Sequence, residues 1–103
     1  MPDKKRTDLD WEDVRYFVTP ARHRTLSATA RALRVNHATV ARRIASLETL
    51  LGHPIFDRRV SGYALTAEGK ALVNHASAMN EAALSILRRL DAGTELLQDR
   101  WPD

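Results

Sequence analysis

The 103-residue chain contains no cysteine, which excludes a disulfide framework and any thiolate metal site. It has no apolar run near the ~20 residues that span a bilayer. Its opening, MPDKKRTDLD, is polar throughout, unlike a signal peptide. A soluble, intracellular protein without a membrane partner is therefore expected. The four histidines, at positions 23, 37, 53 and 75, share no ligand-like spacing, so neither a metal nor any other cofactor is expected. Serine, histidine and acidic residues occur, but they form no nucleophile elbow, phosphate loop or metal motif. An enzyme is not expected.

A second shortage is local. In VNHATVARRIASLETLLG, residues 35–52, Val40, Ile44, Leu47 and Leu51 are spaced by four, three and four, one apolar stripe of a helix. The opposite arc holds Ala38, Thr39, Arg42, Ala45, Ser46 and Thr49, with Arg43 on its flank. A solvated face ordinarily mixes Glu and Lys, and this one has almost no acid. Small residues around two arginines suit a narrow, negatively charged partner.

The net charge of +3 is unevenly spread. Residues 1–10 are neutral, residues 11–65 carry +5 and residues 66–103 carry −2. One basic module with a mildly acidic tail points to a polyanion-binding head.

A chain of this length makes one domain with a single core. Asp10 reads as the N-cap of a first helix with Glu12 and Asp13 in its opening turn. Val14, Phe17 and Val18 form its apolar face, and Trp11 and Tyr16 belong either to that core or to an outer surface. Pro20 predicts a kink or an early end. Ser27 is the expected N-cap of a short second helix containing Ala30 and Leu33. Asn36 should cap the next helix, which Gly52 should end, with Pro54 just beyond. IFDRR and YALT around VSG read as a hairpin. Thr66 should cap a long helix in which Leu72, Ala76, Met79, Ala83, Ile86 and Leu90 form a heptad seam, ending near Gly93. A helix of about 25 residues is about 37 Å long, more than one small module covers, so dimerisation through the seam is expected.

From Ala30 the chain reads A-R-A-L-R-V-N-H-A-T-V-A-R-R-I. A small residue on one helix, a tight turn, an apolar residue and then Thr-Val-x-Arg is a helix-turn-helix layout. Ala30 must be small because the second helix crosses it, and Val35 and Val40 seal the corner. Arg42 then projects away, toward a major groove, while Ala38 and Thr39 let the helix sink close to bases.

Taken with FDRR and LTAEG, residues 9–92 closely resemble the N-terminal DNA-binding module of LysR-type transcriptional regulators. The resemblance implies a mainly α fold, a winged helix-turn-helix followed by a long linker helix that dimerises. It implies base approach by His37, Ala38, Thr39 and Arg42, and a phosphate held by Arg58 on the wing. Ser27 would offer its hydroxyl and a helix N-terminus to another phosphate. Asn36, Arg43 and Arg59 complete the expected DNA-binding set. Three residues depart from the family pattern: Pro20 inside the first helix, Arg34 at a turn that often uses Gly, and Ala41 in place of a frequent serine. A positive φ at Arg34 would carry strain.

The expected organisation is a flexible arm at 1–8, a winged helix-turn-helix domain at 9–65, a linker and dimerisation helix at 66–92 and a tail at 93–103. The expected function is sequence-specific binding of double-stranded DNA in transcription regulation, as a homodimer in a bacterial-type cytoplasm, with no small-molecule effector bound by this chain. The alternative is a truncated LysR-like interaction protein that pairs with a full-length regulator and modulates it.

Overall fold

Asp10 starts the first helix through a reciprocal cap. In the computed structural model, which describes residues 8–58 and 62–92, α1 runs Trp11–His23. The Asp10 carboxylate accepts the Asp13 N–H and the Asp13 carboxylate accepts the Asp10 N–H, both at 3.0 Å. Two donors that the helix leaves orphaned are thus satisfied. Val14, Phe17 and Val18 are buried. Tyr16 also turns into the core, whereas Trp11 is 40% exposed and its indole N–H donates to Asn80 Oδ1 at 3.0 Å.

Of the kink or early end expected at Pro20, the early end does not occur, because α1 continues to His23. Pro20 lies in the last turn, where the helix forfeits only the bond to the Tyr16 carbonyl, and its ring is fully buried. The helix ends instead at Arg24, in the left-handed region with φ 72° and ψ −17°. Its N–H donates to the Pro20 carbonyl at 2.8 Å.

α2 runs Leu26–Leu33, and its N-cap is Thr25, not Ser27. The turn at Arg24 leaves Thr25 extended, so the Thr25 hydroxyl accepts the Ala28 N–H at 3.0 Å. Ser27 becomes the second residue of the helix. α2 ends at Arg34, which has the expected strained backbone, φ 61° and ψ 45°. The Val35 N–H folds back to the Ala30 carbonyl at 3.0 Å, and Ala30 lies buried between α2 and the next helix.

α3 runs His37–Leu51, capped by Asn36, whose side chain accepts the Thr39 N–H at 2.8 Å. Gly52, with φ 79°, closes it. A two-stranded antiparallel wing follows, β1 at Phe56–Asp57 and β2 at Ala64–Leu65. Phe56 faces Leu65 and Asp57 faces Ala64. α4 runs Ala67–Ala92, opened by Thr66, whose hydroxyl accepts the Gly69 N–H at 3.0 Å and donates to the Pro54 carbonyl at 2.8 Å. The expected end at Gly93, the arm before residue 8 and the tail from 93 lie outside the described residues.

The core forms where α1, α2 and α3 meet the first half of α4. Val40, Ile44, Leu47 and Ile55 are each at most 1% exposed. Phe56 and Tyr63 carry the wing into this core. The Phe56 ring packs edge-on to Phe17, centroids 6.0 Å apart, and tilted against Tyr63 at 5.2 Å. The architecture is mainly α, a winged helix-turn-helix with a long trailing helix.

Candidate nucleic-acid interface

The expected stripe of α3 is where the helix is held. Val40, Ile44 and Leu47 are buried, and Leu51 is half-buried against the same core. Holding that side inward turns the other outward. His37, Ala38 and Arg42 are exposed, and Thr39 is half-buried. The first turn of α3 carries no acid, so the positive end of the helix dipole is uncompensated and favours an anion. Asn36 stands at the same end with its carbonyl oxygen committed to the cap, which leaves its amide hydrogens as the donors for a ligand.

Arg42 and Arg43 part company. Arg42 points to solvent. Arg43 is half-buried, and its guanidinium carbon lies 5.5 Å from the centroid of the Tyr16 ring, a cation–π contact that anchors it to α1. On the wing, Arg58 is exposed and lies 5.5 Å from the centroid of the Tyr63 ring. Ser27 is exposed in the first turn of α2. Arg59 lies outside the described residues.

Glu48, which carried no sequence signal, ties the wing to α3. One Glu48 carboxylate oxygen accepts the Ile55 N–H at 2.9 Å and the Phe56 N–H at 3.1 Å. Glu48 lies near the end of α3, so α3 and the root of the wing share one junction. On the far strand, the Tyr63 N–H donates to the Arg24 carbonyl at 2.6 Å. A Cβ on Gly62 would stand 2.3 Å from that carbonyl, and Gly62 has φ 97°. Glycine is needed there on both counts. Burial pushes the Tyr63 hydroxyl above its usual pKa of 10.0, with Arg58 opposing and Glu48 adding to the shift.

The long helix divides by depth. Ala76 is 6% exposed and belongs to the subunit's own core, which corrects its place in the expected seam: α1 covers this part of α4, and an alanine lets the two helices approach. Leu72 and Met79 edge an apolar groove that continues between α1 and the end of α3. Ala83 is half-buried. Beyond it, Ile86 is 62% exposed and Leu90 48%. Leu87, outside the heptad pattern, is 48% exposed as well.

Among the described residues, no group of three histidines or acids could hold a metal ion. No helix of these residues is long and apolar enough to cross a membrane.

A family model described as bacterial regulatory helix-turn-helix protein, lysR family, matches residues 11–70. The uncharacterised HTH-type transcriptional regulator YybE of Bacillus subtilis is 34% identical over 71 residues, 69% of this chain and 24% of that protein. HTH-type transcriptional regulator TfdS of Cupriavidus pinatubonensis is 33% identical over 86 residues, 84% of this chain and 29% of that protein. The chain thus spans about a quarter of the length of these curated relatives. The structure of the DNA-binding domain of CbnR in complex with DNA superposes with a TM-score of 0.71 at 28% identity, over 84% of this chain and 99% of that one.

Proposed function

The chain belongs to the lysR family of bacterial regulatory helix-turn-helix proteins, and from that premise we propose that it is a dimeric, sequence-specific binder of double-stranded DNA acting in transcription regulation. The observation that carries the proposal is the outward face of α3: acid-free in its first turn, lined by short side chains and bearing an exposed arginine, on a helix whose other side is locked in the core. A B-form major groove admits one such helix.

In this reading, residues 9–65 form the DNA-binding head and 66–92 the linker. His37, Ala38, Thr39 and Arg42 approach base edges. Ser27, Asn36, Arg43, Arg58 and Arg59 serve the backbone, with Arg43 assigned there because Tyr16 holds it to one side. The exposed Ile86, Leu87 and Leu90, and the groove edged by Leu72 and Met79, are the surfaces a second copy would cover. Two heads fixed by one linker pair call for a pseudo-palindromic operator. Such a protein works where the chromosome is, in a bacterial cytoplasm.

Selection of bound duplexes from a random pool, followed by titration at two salt concentrations, tests the proposal. The expected result is a two-fold-symmetric motif whose affinity falls steeply with salt. Recovery of an unenriched pool, or salt-insensitive retention, would overturn it. Arg42→Ala should flatten the preference at one base position, worth about 1–3 kcal/mol. Arg58→Ala should weaken all duplexes alike.

A further inference from the structure

Two described residues other than glycine have positive φ, and both are arginines: Arg24 at φ 72° and Arg34 at φ 61°. Each closes a helix, and together they bracket the eight residues of α2. The backbone of each position is needed. Arg24 turns α1 into α2 and offers its carbonyl to the wing through the Tyr63 N–H. Arg34 makes the corner of the helix-turn-helix, its N–H donating to the Arg31 carbonyl at 3.3 Å. Glycine supplies such conformations without strain, and a side chain with a Cβ does not.

The side chains, by contrast, make no polar or ring contact within the described fold. Both residues are exposed, and among the described residues neither guanidinium has an ion-pair, hydrogen-bond or ring partner. A strained backbone held by its surroundings, bearing a side chain the fold does not use, signals a function for that side chain. Their placement indicates which one. Arg24 abuts the wing that carries Arg58, and Arg34 lies two residues before Asn36 at the open end of α3.

We infer that Arg24 and Arg34 are a pair of phosphate clamps, one at each end of α2, that extend the backbone contacts of the wing and of α3 across about 12 Å of helix. The ligand is the phosphate backbone of duplex DNA, read without regard to sequence. The inference rests on the reading of α3 as a groove-binding helix.

Arg24→Gly, Arg34→Gly and the double variant, each in the full chain, test it by two readouts of opposite sign. Each single variant should melt a few degrees higher, because strain is relieved, yet bind a duplex of arbitrary sequence more weakly. The slope of log affinity against log salt should become shallower by about 0.9 per arginine removed, hence by about 1.8 for each single variant of the dimer, so that raising salt from 50 to 200 mM weakens binding about 12-fold less for each. Arg24→Lys and Arg34→Lys, which keep Cβ and charge, should retain the slope without the gain in melting temperature. Glycine variants that melt higher but keep the full slope would overturn the inference. So would lysine variants that lose as much slope as the glycine ones. Absence of duplex binding by the unaltered chain would sink the underlying reading first, and this inference with it.

Discussion

The hydroxyls of Thr29 and Tyr63 are buried without a hydrogen-bond partner. A buried hydroxyl stripped of water and given nothing in return costs about 1–3 kcal/mol. Thr29→Val keeps the shape of a side chain that is 0% exposed and removes only the unmet demand. It should raise stability by about 1 kcal/mol, read as a higher denaturant midpoint at unchanged m-value. Tyr63→Phe should act in the same direction at neutral pH and should also change the alkaline limb. Burial holds the Tyr63 hydroxyl above its usual pKa of 10.0, so the unfolded chain releases this proton first. The stability contribution is therefore complete below about pH 10 and is lost as pH rises through the folded-state value. Chemical denaturation at pH 8 and at pH 11 should show a smaller alkaline loss in Tyr63→Phe than in the unaltered chain. An equal loss in both would refute the assignment.

The elements owe their ends to contests of different range. Asp10, Asn36, Gly52 and Thr66 decide locally, each by one side chain or one glycine acting on the turn beside it, and they are legible in the sequence for that reason. Ser27 was not decisive, because Thr25 lies two residues earlier and the choice between them depends on where α1 stops. That point is held by the Tyr63 N–H on the Arg24 carbonyl, a contact from the other side of the wing. Pro20 follows the same logic: burial of its ring keeps the last turn of α1 helical. Glu48 reads as one more solvated acid until the chain folds and brings β1 to it. The heptad of α4 marks a run of apolar residues but says nothing of what covers each position, and Ala76 is covered from within. Of the candidate interface, the outward face of α3 follows from its apolar stripe, whereas the left-handed Arg24 inferred to join it depends on tertiary contacts. A steric test belongs to this scale. A Cβ on Gly69, in the first turn of α4, would stand 2.3 Å from the Ile55 carbonyl. Gly69→Ala should therefore push α4 off the root of β1 and cost about 1–3 kcal/mol, visible as a lowered melting temperature.

For the molecule as a whole, the proposed dimer places its contact on the second half of α4. Ile86 and Leu90 are exposed in the single subunit, so Ile86→Asp with Leu90→Asp removes no contact of the core. Light scattering should give a dimer for the unaltered chain and a monomer for the double variant, with the same circular dichroism per residue. The monomer should still bind one half-site, at lower affinity because the second head no longer binds as part of the same molecule. A double variant that stays dimeric would move the contact elsewhere on the surface.

The bond from Glu48 to the two amides of β1 makes the head a fixed gauge. In the proposed complex, the depth at which α3 enters a groove and the place where the wing meets the neighbouring strand would then be set together. A mismatch with an operator would be taken up by the nucleic acid, through a change in groove width or a bend between the two contacts. Base pairs that no side chain reaches would consequently be chosen for how easily they yield.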